Sequence, residues 1–205
     1  MKILLSSYFL LGMLLFAGCT GQQNMPTGMT LLVVNEDSCL KWNMPPVSFR
    51  AGIPPSIELQ TPKGDPALIN TNYVQLLSYG MGNTVLEAMN ISHANIVESG
   101  GNKRLLASVG EIFGQVFDLR DTSLAMQNFG GKKMYQWRGI GTSKVKGAFS
   151  GDYRIVLFVL EPEQNKKNGV LISMIANTET SIKTFEDFAD KGEIAEVYRS
   201  FEFTY

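Results

Sequence analysis

The sequence predicts an α+β protein in which an antiparallel β-sheet packs between or against α-helices. Two observations lead to this fold class. Strand-like apolar segments follow one another through the second half of the chain without helices between them, which is typical of antiparallel sheets. One earlier segment, residues 102–117, places its apolar side chains on a single helical face. The chain has 205 residues, of which 44% are hydrophobic, enough for one domain with a substantial core.

The N-terminus has the features of an export signal. Lys2 precedes an uncharged apolar run, residues 3–16, which is short for a membrane span and typical of a signal peptide. The run ends in Phe16-Ala17-Gly18-Cys19, which resembles the lipobox of bacterial lipoproteins. The resemblance implies cleavage between Gly18 and Cys19, with acyl chains such as palmitate on the mature N-terminus as a stable membrane anchor. The alternative is a plain secreted protein with a cysteine there by chance.

The predicted domain organisation follows from this signal. Residues 1–18 form the signal peptide, residues 19–30 a lipidated flexible tether without charge, and residues 31–205 a single domain. With Cys19 acylated, Cys39 has no partner for a disulfide and is a free thiol. No histidine and no dominant positive charge flank Cys39, so we expect an unreactive thiol.

The first part of the domain contains four readable segments. Residues 31–34 form a short apolar run whose type the sequence leaves open. Residues 47–53 alternate and end at a proline pair, which predicts an edge strand. Residues 73–79 and 84–91 flank Gly80-Met81-Gly82-Asn83, the composition of a hairpin. A single helix through both is the alternative, which the two glycines disfavour.

Residues 102–117 give the strongest helical pattern, with Asn102 as a candidate N-terminal cap. The arc of apolar side chains is made of Leu105, Leu106, Val109, Ile112, Phe113, Val116 and Phe117. Beside this arc lie Ala107, Gly110 and Gly114, a strip without side-chain bulk. Because the helix is short and charged, this strip predicts close packing on a sheet and not a membrane dimer.

The second half is rich in predicted strands. They cover residues 133–140, 153–160 and 169–176, and the last two are continuous apolar runs typical of central strands. The polar residues 161–168 join these two as an antiparallel hairpin. Thr180 or Ser181 then caps a predicted helix whose inner face is Ile182, Phe185, Phe188 and Ala189. A further helical turn carries Ile194, Val197 and Tyr198.

Charge and motifs exclude several functions. A formal charge of −1 leaves no broad basic surface for nucleic acid. His93 is the only histidine, no Gly-x-Ser-x-Gly motif accompanies it, and we expect it on the surface or in a turn. Ser38-Cys39-Leu40-Lys41 spells Ser-x-x-Lys without its companion motifs, so we interpret it as chance. Glu186, Asp187 and Asp190 are interpreted as solvated carboxylates. We therefore predict no catalytic residues, no metal site and no cofactor.

Three aromatic residues, Trp42, Tyr135 and Trp137, are candidates for lining a ligand or partner groove. The alternative, which we favour, places them in the core.

Short sequence motifs in two parts of the chain, residues 46–60 and 127–203, resemble those of the PsbP-like/DcrB-like family. The motifs are Val47-Ser48-Phe49 with Ile53-Pro54, the run Gly130-Gly131-Lys132-Lys133-Met134-Tyr135, and Tyr198-Arg199-Ser200-Phe201. The resemblance implies a PsbP-like sandwich, an antiparallel sheet between helices. It also implies an adaptor or accessory subunit of envelope proteins without a catalytic motif.

These observations predict a non-catalytic envelope lipoprotein, anchored through Cys19, that binds another envelope protein. The alternative is a carrier of a small molecule or lipid with a pocket between the sheet and helix 105–117. A hydrolase using Ser38, Cys39 or His93 is a third, weaker hypothesis. Because Thr20 and not aspartate follows Cys19, we expect attachment to the outer membrane facing the periplasm. In a cell with one membrane the anchor would be on its outer face.

Overall fold

A computed structural model describes residues 28–61, 72–144, 147, 149–163 and 167–204. Their elements are β1 Thr30–Val34, α1 Glu36–Lys41, β2 Phe49–Ile53, β3 Glu58–Gln60, β4 Asn72–Tyr79, a 3₁₀ turn Met81–Asn83, β5 Val85–Asn95, α2 Asn102–Val116, β6 Phe117–Phe129, β7 Lys132–Ser143, β8 Asp152–Leu160, β9 Asn168–Asn177, a 3₁₀ turn Glu186–Ala189, α3 Glu193–Ser200 and β10 Glu202–Phe203. The predicted signal peptide and most of the predicted tether lie outside the described residues. Within the described ranges, no helix combines the length and apolar character needed to cross a membrane.

Two antiparallel sheets form the framework. The larger has seven strands in the order β3-β4-β5-β9-β8-β7-β6, and the smaller has three in the order β1-β2-β10. β8 and β9 lie at the centre of the large sheet and pair as the predicted antiparallel hairpin. β4 and β5 pair across the Gly80–Asn83 turn, which confirms the other predicted hairpin. The α+β fold class is thereby confirmed.

The large sheet lies between two layers and buries both faces. A hydrophobic core lies on each face of the sheet. Alternate side chains along β8 pack into these two cores, with Val156 and Phe158 on one face and Ile155 and Leu157 on the other. The first face packs against the small sheet and α3, and the second packs beneath α2. This double burial explains why β8 and β9 are nearly continuous apolar runs.

Two of the predicted elements are wrong. Residues 47–53 do not form an edge strand, because β2 is the middle strand of the small sheet, between β1 and β10. A helix does not run from Thr180 to Ala189, where only the last four residues form a 3₁₀ turn. The Asp187 carboxylate accepts the backbone N–H groups of Lys183 and Thr184 at 2.8 and 2.9 Å, and such local bonds replace helical ones.

Candidate functional site

A groove with a volume of about 1230 Å³ lies at one end of the large sheet. One wall is the turn between β6 and β7, another is the end of β8, and the third is the chain from the Glu186 turn through α3 to β10. The lining residues are Asn102, Met126, Gly130, Lys132, Lys133, Met134, Tyr135, Val159, Leu160, Glu161, Glu163, Glu186, Ala189, Asp190, Tyr198, Arg199, Phe201, Glu202 and Phe203. Residues distant in sequence therefore build one concave surface.

The β6–β7 turn is fixed against α3 by aromatic packing. Gly130 and Gly131 have φ values of 55° and 80°, left-handed conformations that favour glycine and allow the tight turn. Phe129, just before the turn, is buried with its ring centroid 5.0 Å from those of Phe158 and Tyr198. A methyl group on Gly130 would also approach Tyr198 Cε1 to 3.1 Å. The hairpin wall of the groove is consequently held by the core and not by the turn alone.

The apolar part of the lining consists largely of aromatic residues and methionines. Tyr135, Tyr198, Phe201 and Phe203 contribute rings, and the Met126 side chain is half exposed. The Phe201 ring stacks on Phe49 at 5.1 Å between centroids and meets Phe203 edge-on at 5.2 Å, so the small sheet supports this wall. Aromatic and methionine side chains are enriched in protein interfaces.

Charged side chains form the rest of the lining, eight of the nineteen residues. Glu202 is paired with Arg50, and Glu161 accepts a hydrogen bond from Asn102 Nδ2. Arg199 donates to the Asp190 carbonyl oxygen at 2.9 Å. The side chains of Lys132 and Lys133 are exposed and make no hydrogen bond or ion pair within the described part of the chain. These two ammonium groups are available to an incoming group.

A buried polar network lies directly behind the Glu186 wall. Arg138 Nη1 donates to Glu186 Oε1 at 2.8 Å, and Arg138 Nε donates to Gln136 Oε1 at 2.9 Å. The guanidinium also lies over the Phe185 ring, 5.4 Å from its centroid. The hydrogen bond from Arg138 lowers the pKa of Glu186, which stays ionised at neutral pH. The Glu186 carboxylate is therefore held in a fixed position at the groove.

Two donors of this network have no acceptor among the described residues. They are Gln136 Nε2 and Arg138 Nη2, and the two side chains are 0% and 7% exposed. Sequence reasoning did not single out Gln136 or Arg138. The available signal was their position at alternate residues of a predicted strand, opposite to the Tyr135 and Trp137 face.

The structure does not bring the three candidate groove aromatics together. Tyr135 lines the groove, whereas Trp137 is buried beneath α2 in the core on the same face. Trp42 packs partly buried against the core on the opposite face of the large sheet. Cys19 and Gly18, the predicted lipidation and cleavage residues, lie outside the described part of the chain.

His93 and Cys39 lie in a packed region and not in an open cleft. We expected His93 on the surface or in a turn, but it is half-buried within strand β5. Its Nδ1 is 3.2 Å from Tyr73 Oη, which donates to the Pro45 carbonyl oxygen. Burial lowers the pKa of His93. The Cys39 side chain is 1% exposed and donates to the Val47 carbonyl oxygen at 3.5 Å, and burial raises the pKa of its thiol. A buried thiol with a raised pKa is a poor nucleophile.

The predicted carboxylate cluster has separate local roles. Asp187 accepts two backbone N–H groups and pairs with Lys191 at 2.9 Å, while Glu186 pairs with Arg138. Across the described ranges, no group of three or more His, Cys, Asp or Glu side chains is arranged to hold a metal ion.

Comparison with known proteins finds similarity among solved structures. The chain matches no model of a protein family and no curated protein. Among solved structures, it is similar to the solution structure of cyanobacterial PsbP (CyanoP) from Synechocystis sp. PCC 6803. The TM-score is 0.45 at 12% sequence identity, over 94% of this chain and 100% of that chain.

Proposed function

We propose that this protein is a membrane-anchored accessory lipoprotein of the bacterial cell envelope, which binds another envelope protein through the groove and catalyses no reaction. The observation that carries the proposal is the lining of the groove. It combines partly buried aromatic side chains and the half-exposed Met126 with charges of both signs.

The size and composition of the groove favour a protein partner. Small-molecule pockets occupy about 300–1,000 Å³ and are mostly apolar. This groove has a volume of about 1230 Å³, and eight of its nineteen lining residues are charged. Protein interfaces combine aromatic and methionine side chains with polar ones, so a groove of mixed lining suits a protein partner.

Sequence features support the anchoring part of the proposal. The apolar run and Phe16-Ala17-Gly18-Cys19 match a lipoprotein signal, and the described fold begins with β1 at Thr30. About eleven tether residues span at most ~35–40 Å when extended. The groove would then lie close to the membrane surface, and the default site is the outer membrane facing the periplasm.

The alternative, a carrier of a lipid or other small molecule, receives less support from the packing. That hypothesis placed a pocket between α2 and the sheet. In the structure α2 contacts the sheet directly at this place, with Gly110 against the Trp137 indole. The groove at the sheet end has too many charged lining residues to suit an acyl chain.

In-cell crosslinking combined with fractionation tests the proposal. A photoreactive amino acid replaces Met126, which is half exposed in the groove, and a second variant carries it at Met81, which is exposed outside the groove. We expect one envelope protein to be crosslinked at position 126 and not at 81, and to be lost in Cys19→Ala because that variant leaves the membrane. A Cys19→Ala protein that stays in the membrane would overturn the anchor. Absence of a specific crosslink at position 126 would overturn the binding role and favour the carrier.

A further inference from the structure

Strand β6 forms an open edge of the large sheet. It lies at the end of the strand order and pairs with β7 on one side, while no described residue pairs with its backbone on the other side. With 13 residues it extends over about 43 Å. The other sheet edges are much shorter, since β3, β1 and β10 have three, five and two residues. Within the described ranges, β6 therefore presents the longest row of unpaired backbone N–H and C=O groups.

The second half of this edge lacks the features by which proteins prevent the addition of another strand. Prolines and charged side chains, lysine above all, are the usual protection of an exposed edge. Residues 123–129 contain neither, because the charged residues of β6, Asp118, Arg120 and Asp121, all come earlier. The register with β7 is continuous over residues 123–129. A regular, uncharged edge of this kind is suited to pair with a further strand.

The side chains of this segment are symmetric about Ala125 in their chemical class. Leu124 and Met126 are the apolar residues on either side of Ala125, and Ser123 and Gln127 are the uncharged polar residues that come next. In an antiparallel pair of two β6 strands centred on Ala125, Leu124 would lie opposite Met126, and Ser123 opposite Gln127, twice each. A two-fold interface needs a surface that complements itself, so this pattern favours a second copy of the chain over an unrelated strand.

The same pairing would cover apolar surface that is exposed in the single chain. The Met126 side chain is 51% exposed, and Leu124 is only partly buried against the core beneath α2. Leu124 and Met126 would form one apolar cluster with their counterparts across the interface. The paired segment would comprise residues 122–128, so the charged residues of β6 would stay outside it and no like charges would oppose each other.

We propose that β6 pairs with β6 of a second copy in antiparallel orientation, with the two-fold axis at Ala125. The large sheets of the two copies then continue across the interface as one sheet. Met126 also lines the groove, so the groove of each copy lies next to the interface. The inference goes beyond the proposed function, because it requires neither the membrane anchor nor another protein in the groove.

Cysteine crosslinking of the full-length chain in cells tests the register. Opposite Cα atoms of an antiparallel pair are about 4.5–5.5 Å apart, within the range that a disulfide bridges. We expect Ala125→Cys to give a disulfide-linked dimer, because this residue lies opposite itself. Ser123→Cys is the matched control, since its two copies would be four residues, or about 13 Å, apart along the strands. Adding Gln127→Cys to Ser123→Cys should restore the crosslink.

Two results of the crosslinking would overturn the proposal. Equal crosslinking of Ala125→Cys and Ser123→Cys, or none in either, would show that the strands do not pair about Ala125. A disulfide from Ala125→Cys to a different protein, with no doubled chain, would show that the edge accepts a strand of a partner and not of a second copy.

The molecular mass in solution tests whether the strand pairing holds two copies together. Sedimentation of the full-length chain in detergent should show a dimer whose dissociation constant rises at least tenfold in Met126→Lys, because lysine on a strand edge opposes pairing. Met81→Lys makes the same change at a 98% exposed position outside β6 and should leave the dimer unchanged. A monomer at all concentrations of the unsubstituted chain, or equal effects of the two variants, would overturn the proposal.

The proposed function fails by different results. Cys19→Ala tests the anchor, and the partner captured at position 126 is a protein other than this chain. A crosslink between two copies has twice the mass of the chain and contains no other protein, so it bears only on the dimer.

Discussion

Gly110 of α2 lies directly against the indole of Trp137 on β7. A methyl group built on Gly110 would come within 2.7 Å of Trp137 Cε2 and 2.8 Å of Cδ1, well inside van der Waals contact. Trp137 is buried, and its neighbours include Phe113 at 6.4 Å between ring centroids. The distance between helix and sheet is therefore set by a residue without a side chain.

Gly110→Ala should destabilise the protein. The clash with Trp137 forces the helix or the indole to move, and overpacking of this kind costs about 1–3 kcal/mol. Alanine recovers up to about 1 kcal/mol of helix propensity, so we expect a net loss of about 1–2 kcal/mol. Urea unfolding followed by tryptophan fluorescence measures the change.

Gly114→Ala is the matched control on the same helix. Its methyl group would meet only Leu119 Cδ1 at 3.6 Å, an ordinary contact, so propensity should dominate. We expect this variant to gain about 0.5–1 kcal/mol. If both variants are stabilised, the close approach at Gly110 is not required.

The sequence was informative about α2 and uninformative about the strand that follows it. A strip of small residues beside an apolar arc predicts close packing, and Gly110 fulfils that prediction. β6 begins at Phe117 with no loop after Val116, and most of its side chains are exposed at the sheet edge. Such a strand has no apolar alternation to detect, and a bulge near Asp121, with φ of 52°, breaks its register.

Glu87 should make the stability of the protein fall as the pH rises. Its side chain is buried and accepts the backbone N–H of Ile194 at 3.1 Å, at the start of α3. Desolvation raises its pKa above the ordinary value of 4.5, and the charge of Glu193 raises it further. The folded state then binds more protons than the unfolded state, so stability is fully present at low pH and is lost as the pH rises through the two pKa values.

Glu87→Gln tests this sign, because glutamine keeps an acceptor for the helix N-terminus and does not ionise. We expect the unfolding free energy of the variant, relative to that of the unsubstituted protein, to increase between pH 4 and pH 7. Glu58→Gln, on the exposed strand β3, is the control for removal of one negative charge. A constant difference across this pH range would contradict the assignment.

Asp187 should make the stability of the protein depend on pH in the opposite direction. Its carboxylate binds Lys191 and the backbone N–H groups of Lys183 and Thr184, and these contacts lower its pKa to about 2. The stability that it contributes is present above its ordinary value of 3.8 and is lost as the pH falls toward 2. Asp187→Ala should cost about 1 kcal/mol at pH 7, as for other side-chain caps, and almost nothing near pH 2.

Asp190→Ala serves as the neighbouring control, since the Asp190 carboxylate accepts no hydrogen bond within the described ranges. A loss at pH 7 that persists unchanged at pH 2 would show that Asp187 acts through packing and not through its charge. Thermal unfolding across the pH series distinguishes the two.

The same contacts show why the sequence predicted a helix over residues 180–189 that is absent, and why it did not reveal the groove. Ile182, Phe185, Phe188 and Ala189 have helical spacing, but spacing does not reveal that one carboxylate will bind backbone groups four and three residues earlier. β2 is a central strand and not an edge strand because β10, which follows about 150 residues later in the sequence, pairs with it. The groove joins β7 to α3 and β10 in the same way, through contacts that no local pattern contains.

Cys39 should be inaccessible to thiol reagents in the folded protein. Its side chain is buried, its Sγ donates to the Val47 carbonyl oxygen, and burial raises the pKa of the thiol. We expect Ellman's reagent to react with Cys39 only after unfolding in urea. Leu40→Cys introduces a thiol at the next position, which is 82% exposed, and should react at once in the folded state.

The number of thiols that react in urea also reports on the anchor. The chain has two cysteines, Cys19 and Cys39, and a thioether-linked lipid on Cys19 removes one of them from the reaction. Protein purified from membranes should therefore give one reactive thiol after unfolding, whereas precursor made without lipidation should give two. Two thiols in the membrane-derived protein would contradict lipidation at Cys19, and rapid reaction of the folded protein would contradict the burial of Cys39.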